Sequence, residues 1–259
     1  MRVPLPGSNV RKPKGAHMPE TSHILPAKRG PSVTLANAVV QSAQQLTLTE
    51  KRLVMLAVSR IDPRSKALPE RPIKVTAEEF AEAFGLSPRD AYGELRRGSD
   101  SILAKHITRQ REGQRGPIVE RYAWLSRADY ATGEGWVALR FNPEIAPYLV
   151  DLRGRFTRYQ LAQAGALRSL YSWRLLEHLA MFSHTGWWKP EVEEFNRVME
   201  TPDSYRANFA QVRRWVVEPA VAELRDKDGW RIDWEPIKRG RKVHSLSFTF
   251  QRDTQARLL

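Results

Sequence analysis

The chain has 259 residues, 41% hydrophobic and 27% charged, which is the composition of an ordinary globular protein of one large or two medium domains. It holds no cysteine and no apolar run approaching about 18 residues, which excludes disulfides, thiol catalysis, sulfur-liganded zinc and a membrane span. Its 42 Lys+Arg against 29 Asp+Glu leave a net charge of +13, and the simplest partner for such a balance is a polyanion, nucleic acid first.

Residues 1–33 carry six basic side chains, six prolines and a single acid, Glu20. So few large apolar residues cannot offset the entropy of ordering the segment, so it is expected to be a disordered basic arm. The first residues lack the apolar core of a secretion signal, and a cytoplasmic location is expected.

Beyond the arm, Leu35, Val39, Ser42 and Leu46 keep helical spacing. A second helix is predicted after Thr49, with Leu53, Leu56, Ala57 and Ile61 on one face and Asp62-Pro63 as its stop. A short strand at 72–75 leads to Thr76 and Glu79, a capping box that opens a helix burying Phe80 and Phe84. Gly85 ends that helix, and Ser87-Pro88 starts the next, which runs to about Lys105 with Tyr92, Leu95, Ser99 and Ile102 inward. A short helix, a tight turn and a longer helix make a helix-turn-helix. Strands are predicted at 107–110, 118–125 and 136–141, joined by a basic link at 111–117 and a second link at 129–135. That is the order of a winged helix, and the unit is set at 34–150.

The second half, 151–252, repeats the order. Leu167, Leu170, Leu175, Leu176 and Leu179 mark one helix, 190–199 a shorter one, and 201–204 a turn. A long helix is then predicted to carry Tyr205, Phe209, Val212, Val216 and Ala220 inward, kinked at Pro219. A hairpin follows, with strands at 230–234 and 244–250 and the turn Lys238-Arg239-Gly240-Arg241-Lys242. Residues 253–259 form a tail. The fold class is therefore α+β, two tandem winged helices behind a basic arm.

The site residues follow from this arrangement. With the stripe inward, Gln211 and Arg214 fall near the outward face of the second long helix, flanked by Arg206, Arg213 and Asn208. Arginine's fork fits guanine O6 and N7, and Asn or Gln can pair with adenine. The wing cations Lys238, Arg239, Arg241 and Lys242 surround one glycine and suit phosphates. In the first unit Arg89, Arg96 and Arg97 face outward, but Asp90 and Glu94 dilute their field, so backbone contact is expected there. Enzyme readings find no support: there is no phosphate-binding G-x-x-x-x-G-K-[ST] loop and no clustered histidines, so no catalytic residue, cofactor or metal is expected. His178 is expected to be packed structure, and Trp187-Trp188 to serve core or subunit-interface packing. Gln45-Leu46-Thr47-Leu48 has the form of a sliding-clamp-binding peptide without its final aromatic, and fits a helix cap equally well.

Residues from about 34 to 252 resemble the Rep_3 family of plasmid replication initiators. The resemblance rests on Asn37-Ala38 with 46–53, on Leu167-Arg168-Ser169 with 171–175, on Ser204-Tyr205-Arg206, on Val212-Arg213-Arg214, on 219–224, and most strongly on 237–243 running into Leu246-Ser247-Phe248. It implies tandem winged helices that bind origin direct repeats (iterons), with Arg206, Arg213 and Arg214 reading bases. It also implies a first domain that adds DNA contacts and forms a dimer for self-repression on an operator inverted repeat, and recruitment of host helicase machinery. The alternative is a plain transcriptional repressor on the same fold.

Overall fold

The computed structural model describes residues 30–252; the arm up to residue 29 and the tail 253–259 lie outside the described residues. The chain enters on strand β1, Ser32–Ala36, which pairs antiparallel with β7, Phe156–Gln160. Val33 and Leu35 in it are fully buried, so residues 32 and 33 belong to the fold and not to the expected arm. Leu35 accordingly lies on a strand and not on the expected helix. With Val33, Thr34 and Leu35 all buried, β1 is covered on both faces, and periodicity does not separate such a strand from a buried helix. The β1–β7 ladder also joins residues on opposite sides of the expected boundary at 150/151.

A single turn, α1 (Asn37–Val40), leads to α2 (Leu48–Val58). Thr47 caps α2, not Thr49: its hydroxyl accepts the Glu50 amide while Glu50 accepts the Thr47 amide at 2.7 Å. Strand β2 (Ile73–Thr76) and helices α3 (Ala77–Phe84) and α4 (Pro88–Ser101) follow the predicted caps, with Thr76 and Glu79 reciprocal and Gly85 left-handed at φ 60°. One predicted strand of the first unit divides in two. The predicted strand at 118–125 is two, β4 (Ile118–Ala123) and β5 (Leu125–Ala131), broken at buried Trp124, whose indole donates to the Gln44 carbonyl at 3.0 Å. Thus β3 (His106–Arg111) and β4 form a separate two-stranded sheet, the one with the basic link. The hairpin of β5 and β6 (Trp136–Phe141) joins β2 in the order β2-β6-β5, so it is this hairpin that completes the first winged helix.

After β7 and the short α5 (Leu161–Gly165), helix α6 (Leu170–Met181) runs through the middle of the molecule, buried on nearly every side. The second unit adds β8 (Trp187–Trp188), α7 (Val192–Val198), the one-turn α8 (Asp203–Arg206), α9 (Phe209–Val212), α10 (Glu218–Asp228), and the strands β9 (Trp230–Arg239) and β10 (Lys242–Arg252) in a sheet ordered β8-β10-β9. The tryptophan doublet splits. Trp188 is buried between His178 (centroids 4.4 Å apart) and Phe248 (5.4 Å), whereas Trp187 is exposed on the edge strand. No helix among the described residues is long and apolar enough to cross a membrane.

Charged side chains lie inside this core. Lys51 on α2 and Arg174 and Glu177 on α6 are fully buried. Glu177 accepts from Lys51 at 2.6 Å, from Arg174 at 2.7 Å and from the Tyr159 hydroxyl at 3.0 Å. Burial is the main reason the Lys51 ammonium is lowered to about 8. Burial would raise Glu177, but the two cations outweigh it and hold its carboxyl below the usual range. Beside them His178, its Nδ1 2.9 Å from the Arg174 carbonyl, is pushed down to about 3 by burial and then by Arg174.

Candidate nucleic-acid interface

The predicted long helix of the second unit is broken at its start and widened in its middle. Residues 207–208 interrupt it, because Asn208 turns extended and its side chain accepts the Ala210 amide at 3.0 Å as an N-cap. From Phe209 the helix continues to Asp228, but residues Arg213–Val217 are wound as a π-helix, with the Glu218 amide donating to the Arg213 carbonyl five residues back. Pro219 is the cause: it has no N–H, and its ring would meet the Trp215 carbonyl in an α-helix, so the wider turn relieves the clash. The expected stripe holds, with Val212, Val216 and Ala220 buried and Tyr205 and Phe209 packed against the core, and the wider turn broadens it with Val217, Val221 and Leu224.

This winding decides where each predicted reader stands. Arg206 is not on the recognition helix, contrary to expectation. It sits in α8 before the break, donating to the Thr201 carbonyl at 2.7 Å and pairing with Asp203 at 3.4 Å, so it ties the helix-turn-helix turn together. Asn208 is occupied in part as the cap. Arg214 is exposed, its guanidinium 4.9 Å from the centre of the Trp215 ring, with no ion pair among the described residues. Arg213 leans to the other flank, donating to Glu218 at 2.7 Å and lying 5.8 Å from the ring centre of Trp234 on β9. The flank of the helix that carries Arg213 therefore faces the wing strand. Gln211 accepts from the Trp215 indole at 2.8 Å.

The wing keeps its predicted turn. Lys242 pairs with Arg239, leaving Gly240 and Arg241 as a two-residue loop with Gly240 at φ 64°. Its four cations, Lys238, Arg239, Arg241 and Lys242, are exposed and make no ion pair among the described residues. A bulge at His244 twists the hairpin and sets that ring 3.7 Å from Glu191.

In the first unit Arg89, Arg96 and Arg97 are exposed on α4. Glu94, which was expected to dilute their charge, turns aside to Arg52 at 3.2 Å, and Asp90 turns to the Ser87 hydroxyl at 2.7 Å. The clamp-like segment is a structural cap and is not free. Leu46 is buried, Thr47 caps α2, and the Gln45 amide donates to Glu200 at 2.6 Å. Trp215 stands in the sequence as a departure from the family pattern with no role assigned, although its spacing of four from Gln211 and its place outside the apolar stripe link the two side chains.

Two family descriptions match the chain, "Initiator Replication protein, WH1" over residues 32–180 and "Initiator Rep protein, WH2" over residues 191–250. A replication initiation protein of Escherichia coli is 25% identical over 86% of this chain and 71% of its own length. The PI protein of Escherichia coli is 27% identical over 84% of this chain and 81% of its own. The fold matches the crystal structure of Pi initiator protein in complex with iteron DNA at a TM-score of 0.73, 22% identity, covering 87% of this chain and 99% of that one.

Proposed function

Because the chain belongs to the initiator replication protein family, with both of its winged-helix units present, we propose that it is a sequence-specific DNA-binding initiator of plasmid replication. The observation that supports this most directly is the wing of the second unit, whose four exposed cations make no ion pair among the described residues while the adjoining helix presents an exposed Arg214. Polyanion neutralisation by the wing supplies affinity, and the helix supplies base preference. Arg213, Arg214 and Gln211 are assigned to bases. Lys238, Arg239, Arg241 and Lys242, with Arg89, Arg96 and Arg97 of the first unit, are assigned to the backbone.

The DNA is a set of tandem direct repeats at the origin. Two recognition helices on one chain, set in successive major grooves, cover about two helical turns, or ~20 bp, and have no need of a two-fold axis. A symmetric dimer joined through the first unit matches an inverted repeat instead, which suits repression of the chain's own gene. Bound initiator distorts the neighbouring DNA and recruits host helicase. Footprinting on the DNA flanking the gene tests this reading: protected direct repeats are expected, whereas a single protected inverted repeat would leave only the repressor role. Light scattering of each complex is expected to show monomer on direct repeats and dimer on the operator. The same dimer on both would remove the switch between them.

A further inference from the structure

We infer that Trp215 fixes which base Gln211 reads, making it a guanine reader instead of an adenine reader. The inference rests on the DNA-binding role just proposed for the helix. Trp215 is 47% exposed although it is the largest side chain on its helix, and no core position claims it. Its indole N–H turns back one turn to Gln211 Oε1 at 2.8 Å, and the Arg214 guanidinium lies over its ring at 4.9 Å.

An indole nitrogen only donates, so the amide group facing it must be the oxygen. Gln211 is half-buried, and its carboxamide is thereby held with the oxygen engaged and the NH2 group turned away from the ring. Pairing with adenine needs both ends of a free amide, with the oxygen accepting from N6 and the nitrogen donating to N7. With the oxygen turned to the indole and one of its lone pairs taken, the end that meets the groove is the NH2 group, a pair of donors. Guanine offers two acceptors on its major-groove edge, N7 and O6, which suit such a pair. Trp215 is thus a positioning residue. Trp215 lies inside the π-helix, four residues after Gln211.

Selection from a randomised duplex library, using the full chain and three variants, tests the inference. The unsubstituted protein is expected to enrich guanine at one position whose preference disappears in Gln211→Ala. Trp215→Phe keeps a ring but removes the N–H, frees the amide, and is expected to move that one position to adenine by about tenfold, leaving the others unchanged. Gln211→Glu keeps an acceptor for the indole but removes the outward donors, and is expected to move the same position to cytosine. Retention of guanine in Trp215→Phe or in Gln211→Glu, adenine there in the unsubstituted protein, or no position lost in Gln211→Ala overturns the inference while sequence-specific binding stands. Absence of any enriched motif with the unsubstituted protein overturns the DNA-reading role itself.

Discussion

The buried triad of Lys51, Arg174 and Glu177 holds two cations and one anion, and this imbalance makes its members unequal. Glu177→Gln keeps the side chain's size but leaves both cations buried without a counter-charge. Its NH2 group would also face a donor on one side or the other. Removing one partner of a buried ion pair costs about 3–5 kcal/mol, which corresponds to a fall in unfolding midpoint of roughly 6–20 °C for a chain of this size. Lys51→Met removes the cation whose burial is the least compensated, and it leaves Arg174 and Glu177 as a one-to-one pair at 2.7 Å. The carboxylate still accepts from Tyr159 at 3.0 Å, so only the Gln44 side-chain oxygen, which also receives Lys51, loses its partner. An acceptor left unsatisfied in the interior costs about 1–3 kcal/mol, so Lys51→Met is expected to cost about 2 kcal/mol less than Glu177→Gln. Urea unfolding followed by circular dichroism measures both. If Lys51→Met proves as damaging as Glu177→Gln, the argument from charge imbalance is refuted.

Three further outcomes are expected. His178 has its folded value lowered to about 3 against about 6.5 unfolded, so the folded state binds fewer protons between these limits. Its contribution is present above pH 6.5 and is lost as the pH falls toward 3, at roughly 1.4 kcal/mol per pH unit. His178→Asn should flatten the stability profile over that window in urea titrations from pH 7 to pH 4, and an unchanged slope would show that the imidazole is not held neutral. Arg214→Ala should weaken binding to the cognate site by about 1–3 kcal/mol and relax base preference, whereas Arg241→Ala should weaken all DNA alike and reduce the salt slope by about one; anisotropy titrations across salt concentrations separate the two, and the reverse pattern would exchange helix and wing. Arg206→Ala should lower stability by about 1–3 kcal/mol, through the lost bonds to the turn, and leave base preference intact; a changed motif in binding selection would return Arg206 to the readers.

Much of the fold was legible because its signals are local. The capping box at Thr76 and Glu79, the left-handed Gly85 and the Ser87-Pro88 start each act within four residues, and together they place the first helix-turn-helix. The second wing was legible for the same reason, through one glycine in a two-residue turn. What escaped depends on distant parts of the chain. Strand β1 is a strand only because β7, 124 residues away at Thr34↔Arg158, covers its edge. The break at Trp124 depends on an indole bond to Gln44. In the site, the outward positions of Arg213 and Arg214 were legible from the apolar stripe. Arg206 was not, because it was counted on one continuous helix; the preference of Asn208 for an N-cap was the overlooked competitor to its role as a base reader.

The charged interior was hidden for a related reason: its members are far apart in sequence, and a lone lysine or glutamate is ordinarily read as solvated. Its placement bears on how the two units are held. Arg174 donates to the carbonyls of Val40 (2.9 Å) and Ser42 (2.7 Å) on one side and of Val198 (2.7 Å) on the other. Glu200, just beyond α7, accepts the amides of Gln44 and Gln45, and both Gln45 (φ 55°) and Glu200 (φ 54°) stand in the left-handed region. Apolar packing tolerates sliding because it has no direction, whereas a guanidinium fork shared among three carbonyls fits one arrangement. The first unit's entry segment and the second unit's helix-turn-helix are therefore registered on the same side chain. A change at Arg174 is expected to alter the spacing of the two units, although the side chain is fully buried and lies on neither outward surface.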